Sequence, residues 1–257
     1  LSFIYNNENQ NNQGLAYKTS PLHLALTKSP LIGVYEFNES GKASPNLTNT
    51  DIFDGGNPNA IDKYGYAFNK NYRFFGNLNA KYKITDSFTA NVLFGMTYSK
   101  EREKFFVPDF GTANVMLPTA IGTNRSGSEV QEYISTFSDT YLDFNETIDG
   151  VNNIHIRAGL RSQINKSEND LGLGFNSATD DFTTIGAGDN SLRVIGGGIG
   201  EWSWYNAYGL VDYNISNKYY LTLNSSIDKS SRFGNNTNSS ILGTVGAGWI
   251  VSSENFM

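Results

Sequence analysis

The chain contains no cysteine, which excludes a disulfide framework, thiol catalysis and thiolate metal sites. Histidine is almost as scarce. His23 stands between Leu22 and Leu24, His155 lies on an alternating stretch, and neither has the spacing of a metal-ligand set. Charge is thin: Asp, Glu, Lys and Arg make up 17% of the 257 residues, against the roughly 25% of ordinary soluble domains. The formal net charge of -6 carries no nucleic-acid footprint, which shows as a basic surface. Long hydrophobic runs are also missing. The longest near-apolar run, 241–251, is broken by Thr244 and by Gly243, Gly246 and Gly248, well short of the roughly 18 apolar residues of a spanning helix. A helical membrane protein is excluded; a β-barrel is not.

What the chain has instead is turn chemistry and rings. It holds 32 Asn, 25 Ser and 26 Gly, with 14% aromatic residues, a balance that favours β structure with polar loops. Period-two alternation, the mark of a strand whose side chains point to opposite faces, is the strongest local signal. Phe74, Gly76, Leu78, Ala80, Tyr82 and Ile84 alternate with Phe75, Asn77, Asn79, Lys81 and Lys83. After a short turn at 85–87, Phe88, Ala90, Val92, Phe94, Met96 and Tyr98 repeat the pattern. Ile154, Ile156, Ala158, Leu160 and Ile164 alternate with His155, Arg157, Arg161, Gln163 and Asn165. Tyr205 to Ile215 and Tyr219 to Ile227 form another such pair, and a last strand runs from Ile241 to Val251. The stretch 133–148 is a weaker candidate, because apolar residues occur at both parities.

Alternation alone leaves two folds open, a soluble sandwich and a membrane barrel. The connections separate them. Turns at 85–87, 149–153 and 216–218 are short, whereas 8–71, 101–132 and 167–202 read as long loops, so short and long connections alternate. Outer-membrane barrels have this asymmetry, with short turns at one rim and long loops at the other. The strands read as about 11–13 residues, long for a soluble sheet and near the roughly 9–11 of a tilted spanning strand. Tyr82, Phe88, Tyr213, Tyr219 and Trp249 fall at the turn ends, where an interfacial girdle lies. The expectation is all-β: an antiparallel transmembrane β-barrel segment of about eight strands with long extracellular loops. The alternative is a secreted or surface β-sandwich that binds glycans or mediates adhesion.

Catalytic constellations are not found. No serine stands in a nucleophile elbow, and the cluster Gly196-Gly197-Gly198-Ile199-Gly200 has Glu201 where a dinucleotide fingerprint needs its last glycine. Asp180-Asp181 reads as a solvated loop pair, since adjacent carboxylates diverge. The oxygen-rich segment 51–62 lacks EF-hand spacing and reads as a surface turn. No enzyme, metal or cofactor is expected. The aromatic cluster Trp202, Trp204 and Tyr205 beside a long loop suits stacking on sugars or peptide side chains, or a membrane-interface belt. On the polar parity, Asn77, Asn79, Lys81, His155, Arg157 and Arg161 would line the lumen of a barrel, or stand as solvated surface on a sandwich.

Three segments carry a family resemblance. The stretch from Tyr208 through Asp212-Tyr213-Asn214-Ile215-Ser216-Asn217-Lys218 to Leu223, then Asp228-Lys229-Ser230-Ser231-Arg232-Phe233-Gly234, and then Gly248-Trp249-Ile250-Val251-Ser252-Ser253-Glu254-Asn255-Phe256, resemble the SusC/RagA family of TonB-linked (TonB-dependent) outer-membrane transporters of Bacteroidota. Asn57-Pro58-Asn59-Ala60, Arg73, Gly76-Asn77 and Tyr82-Lys83-Ile84-Thr85-Asp86 are similar to its mid-barrel region. Lys229 stands where the family commonly has Gly, and no Phe-Pro pair precedes the last strand. The resemblance implies a barrel of about 22 strands with a plugged lumen, of which residues 1–257 form one partial barrel domain, an internal piece without the plug, the remaining strands or a leader. It implies import of oligosaccharides or peptides across the bacterial cell outer membrane, a SusD-like lipoprotein as lid, a TonB complex acting through the missing plug region, and contact with outer-membrane lipid, with no nucleic acid and no catalytic residue. Substrate contact is expected first at Trp202, Trp204, Arg157 and Arg161, then at Tyr205, His155, Asn77, Asn79 and Lys81.

Overall fold

The computed structural model describes residues 2–9, 19–234, 239–254 and 256. After β1 (Ser2–Asn9), the first long connection, whose residues 10–18 lie outside the described ones, carries α1 (Pro21–Thr27), β2 (Tyr35–Phe37), β3 (Ala43–Leu47) and α2 (Pro58–Tyr64). There follow β4 (Tyr66–Lys83), β5 (Phe88–Val107), β6 (Val115–Met116), β7 (Ile121–Gly122), β8 (Arg125–Ile148), β9 (Asn152–Phe175), β10 (Val194–Ile215), β11 (Tyr219–Ser230) and β12 (Ser240–Trp249). Eight strands form one antiparallel sheet in the order β1-β4-β5-β8-β9-β10-β11-β12, while β2–β3 and β6–β7 are small hairpins in the connections. The sheet is an up-and-down meander.

Its tight turns follow from residues that tolerate left-handed backbone. Asp149 and Gly150 have φ of 52° and 71°, Ser216 and Asn217 have 50° and 55°. Each pair is closed by one backbone bond, from the Val151 N–H to the Ile148 carbonyl at 3.3 Å and from the Lys218 N–H to the Ile215 carbonyl at 2.9 Å.

The register sorts the side chains into two faces. Phe94 lies opposite Leu78, Phe144 opposite Phe88 and Ile156, and Val211 opposite Ile156 and Leu223, so one face is mostly apolar, with the hydroxyls of Thr136, Ser138, Thr140 and Ser162 as an inset in β8 and β9. That face is bare: Leu78 is 65%, Leu160 66% and Val245 77% exposed. The buried residues of the sheet's middle lie on the opposite face and are polar, with Asn91, Asp139, Asn165 and Asn206 all under 10% exposed. This inverts a soluble sheet, and no second sheet covers the oily face among the described residues. The sandwich alternative is thereby set aside.

The apolar face forms a band of constant height. From Tyr72 to Tyr82, Phe88 to Tyr98, Ile134 to Phe144, Ile154 to Ile164 and Tyr205 to Ile215 it spans ten residue steps, about 34 Å along a strand and about 24 Å upright at a 45° tilt, close to the roughly 25 Å band of outer-membrane barrels. Rings mark both rims: Tyr5 and Tyr72 meet at 5.0 Å on one, Phe88 and Phe144 at 4.7 Å on the other.

Above the band the strands continue, which corrects two expectations. The stretches 101–132 and 167–202, read as loops, contract to 108–124 and 176–193, because β5, β8, β9 and β10 run on as paired strands. Both faces meet water there, so the hydrophobic alternation stops while the backbone ladder does not. The weak candidate 133–148 is the band portion of a 24-residue strand.

A conventional core sits only at this far end, where α1 and α2 fold over the β4–β5 hairpin and bury Leu24, Ala60, Ile61, Phe106 and Val107. Both helices start on a side-chain cap followed by proline, Ser20-Pro21 and Asn57-Pro58. Asn57 also donates its side-chain amide to the Val34 and Thr48 carbonyls at 2.9 and 2.8 Å. Gly111, at φ +75°, passes so close to Ala60 that an added Cβ would lie 2.3 Å from the alanine's own. The segment 51–62 is indeed a turn: the Asp51 carboxylate accepts from the Phe53 and Gly55 N–H groups at 2.9 and 2.8 Å and pairs with Lys28 at 3.5 Å, both side chains 6% exposed. Burial alone pushes Asp51 up, but these donors and the Lys28 ammonium hold it below the ordinary carboxylate value.

Two outcomes follow from this architecture. Nitroxides at Leu78 or Val92 of the intact, reconstituted protein should report contact with acyl chains and those at Asn79 or Asn91 contact with water, and Leu160→Lys should cost about 2–4 kcal/mol in unfolding from vesicles. Because the Asp51 pKa is depressed in the fold, its stabilisation is complete above the ordinary value of about 4 and is lost as pH falls from there through the lower folded value. The hydrogen-exchange protection factor at Gly55, taken against the intrinsic rate at each pH, should therefore fall on acidification, and Asp51→Asn should remove that fall.

Candidate functional site

The polar face carries a ladder of ionic pairs set by the register of the β8–β9 hairpin. Asp143 lies opposite Arg157 and Asp139 opposite Arg161. The Asp143 carboxylate accepts from Arg157 Nε at 2.8 Å and Nη2 at 3.4 Å and from Asn91 Nδ2 at 3.2 Å, and stands 3.0 Å from His155 Nε2. The other His155 nitrogen faces Asp212 at 3.7 Å, and Asp212 accepts from the Thr222 hydroxyl at 2.6 Å. Two pleats along the strand, Asp139 accepts from Arg161 Nε at 2.9 Å and from the Tyr208 hydroxyl at 2.8 Å. Each guanidinium rests on a ring, Arg157 on Tyr141 at 4.4 Å and Arg161 on Tyr208 at 4.1 Å. Charge-assisted bonds with an aromatic floor hold both arginines in one geometry.

Farther up the same face the indoles of β10 sit over a hollow of about 470 Å³ lined by Gln163, Trp202, Trp204, Asp228 and Phe233. Asp228 fixes it, accepting from Trp204 Nε1 at 3.1 Å and from Asn206 Nδ2 at 2.9 Å. Arg232 lies 4.3 Å from the Trp202 ring. With its N–H occupied, Trp204 offers a ring face and no free donor, an arrangement that binds by stacking.

The geometry now meets the comparisons with known proteins. No known family profile matches the chain. The TonB-dependent receptor P3 of Formosa agariphila is 24% identical over 238 residues, covering 89% of this chain and 22% of the receptor. The chain is similar in sequence to a TonB-dependent receptor. It shares its fold with the RagAB peptide transporter, at a TM-score of 0.68 and 14% identity over 88% of this chain and 24% of that one, and with the RagAB peptide importer in its closed-closed state at 0.66 and 14% over 84% and 22%. It thus spans about a quarter or less of the length of the proteins it matches. Both agree with the SusC/RagA resemblance, and the matched proteins are a receptor and transporters, not enzymes.

With the polar face named inner and the apolar face outer, as they lie in the matched transporter fold, the inner face brings together most of the residues singled out by sequence. His155, Arg157 and Arg161 share the ladder; Trp202 and Trp204 share the hollow. Asn77, Asn79 and Lys81 stand on the same face, exposed. Tyr205 does not join them: it pairs with Ser162 and Ile227's neighbour Lys229 in the register of the oily face and is 47% exposed there, at the girdle. Sequence reasoning missed Asp139, Asp143, Tyr208 and Asp228, although Asp143 and Arg157 are equidistant from Gly150, as are Asp139 and Arg161. Asp180 serves structure, accepting from the Asp109 and Phe110 N–H groups at 2.9 and 3.2 Å and from Asn124 at 3.0 Å, which staples two long connections.

If the ladder is one mechanical unit, a double-mutant cycle of Asp139→Asn with Arg161→Gln should give a coupling of about 0.5–3 kcal/mol in unfolding of the intact protein. Pairing Asp139→Asn with Gln131→Ala, on the same strand but off the ladder, should be additive.

Proposed function

We propose that this chain is part of the barrel wall of a TonB-dependent outer-membrane receptor that imports oligosaccharides or peptides. One observation carries the reading: the sheet exposes its apolar face over a band of bilayer height and gathers its buried polar side chains on the other, which suits a wall with lipid outside and an aqueous path inside. The remaining strands and a plug complete the barrel, a TonB complex supplies energy through the plug, and a SusD-like lipoprotein closes the extracellular end. The RagAB likeness supports a two-component assembly and the peptide class; the indole hollow supports either class, because sugar rings and peptide side chains both stack on aromatic faces.

Within that receptor Trp202 and Trp204 contact the passing substrate. Arg157, Arg161 and His155 are tied to carboxylates and keep the wall rigid where the plug or substrate slides past. Asn77, Asn79 and Lys81 offer free polar groups to either. Tyr205 anchors the barrel at the upper membrane rim.

Uptake of labelled oligosaccharides and peptides by cells carrying the whole receptor tests this. Uptake of one class should require TonB, and Trp202→Ala with Trp204→Ala should weaken substrate binding by about fivefold or more per indole, with Tyr205→Ala near wild type. Uptake that is indifferent to TonB, or absent for both classes, removes the proposal.

A further inference from the structure

The segment Lys100-Glu101-Arg102-Glu103-Lys104 alternates charge residue by residue. On a strand this sorts the signs by face, and β5 places all three cations on the outer face and both anions on the inner one. The anions are absorbed: Asn69 donates to Glu101 and to Glu103. Burial and the nearby carboxylates of Glu101 and Glu129 push Glu103 above its ordinary range, so the inner face is already crowded with negative charge.

The cations are not absorbed in the same way. Lys100 pairs with Glu132. Arg102 and Lys104 have no acidic partner within 4 Å among the described residues, and Lys70 makes only a contact with the Phe68 ring at 5.4 Å. Yet Lys70 lies directly opposite Arg102 in the register. Like charges facing each other across strands are destabilising, unless an anion lies between them.

Position supplies the anion. The patch begins one pleat above Tyr72 and Tyr98, the upper rim of the apolar band, and rises about 7 Å along the strand for each further cation. This is the depth at which lipid headgroups lie. We propose that Lys70, Arg102 and Lys104 form an outer-wall site for the phosphate of an anionic lipid headgroup in the extracellular leaflet, with its acyl chains against the band below. The inference rests on the membrane reading of the sheet.

The intact receptor in neutral maltoside micelles, titrated with phosphatidylglycerol and read by native mass spectrometry, tests it. Wild type should retain one tightly held phosphatidylglycerol and show no comparable affinity for phosphatidylcholine. Combined Lys70→Gln, Arg102→Gln and Lys104→Gln should weaken retention by about a hundredfold, near fivefold per cation. Arg73→Gln, on the same strand but the inner face, should leave it unchanged, and Lys70→Arg with Lys104→Arg should keep it. Equal retention by the triple variant, equal loss in Arg73→Gln, or equal binding of phosphatidylcholine overturns the site. Displacement of the lipid by inorganic phosphate at matched concentration assigns the patch to free phosphate and overturns it too. A nitroxide at Leu78 in vesicles separates the two failures: acyl contact with no lipid selectivity refutes this site alone, while a hydrated label refutes the membrane reading beneath it.

Discussion

Backbone hydrogen bonding in a medium without water is the constraint from which the rest of this structure follows. Inside hydrocarbon every N–H and C=O must find its partner in the chain itself, and a long antiparallel meander does this residue after residue, as the unbroken registers from β4 to β11 show. Once the ladder is complete, side chains are free to invert the usual order. Leu78, Leu160 and Val245 gain nothing by leaving oil, so they stay outside; Asn165 and Asn206 gain by meeting other polar groups, so they are buried. Among the described residues, β1 and β12 are the two edges of the sheet, and in the proposed receptor further strands meet the same constraint there.

The inner face follows from the same logic. Carboxylates as buried as Asp143 and Asp139, at 14% and 12% side-chain exposure, are costly unless paired, and the pairs here are built across strands, between residues that the register already sets side by side. Asp143–Arg157 and Asp139–Arg161 need no long-range folding event beyond closure of one hairpin. The rings beneath the guanidinium groups do a second job, since Tyr141 and Tyr208 restrict side chains that otherwise lose much entropy on being held. Among the described residues Asn77, Asn79 and Lys81 hold no ionic pair on this face, and in the proposed receptor they and the indole hollow are where a mobile ligand would find partners.

Legibility in the sequence tracks how different the two faces are. Between Phe88 and Tyr98 one face is oil and the other is polar, and the strand is plain. Above Tyr98 both faces meet water, so 101–107 and 167–175 lose the hydrophobic signal and look like loops, although they pair to the end. The stretch 133–148 gives a weak strand signal for the opposite reason: Tyr133, Phe137 and Tyr141 put rings on the inner face, where Tyr141 floors Arg157 and Tyr133 donates to Asn165 at 2.7 Å. The arginines are legible as lumen residues; their carboxylates are not, because pairing depends on the turn's centre, and the polar stretch 149–153 does not by itself single out Gly150. Nothing local marks Asp228 as the anchor of Trp204, since the two meet only through the β10–β11 register.

A strand that is wet on both faces has weak protection against slippage, because a shift by one residue exchanges its faces at little hydrophobic cost. Alternating charge restores that protection. Slide β5 by one residue and Glu101 and Glu103 turn outward while Lys100, Arg102 and Lys104 turn in. The inward cations would find Glu129, so pairing inside the wall cannot by itself oppose the slip. What opposes it is the outer side: Lys100 pairs there with Glu132, and the slip turns that ammonium inward and puts a carboxylate in its place. The sign order of residues 100–104 therefore suits the present register, and in the proposed receptor anionic headgroups outside the wall add to the same preference, much as the oily face fixes the register below.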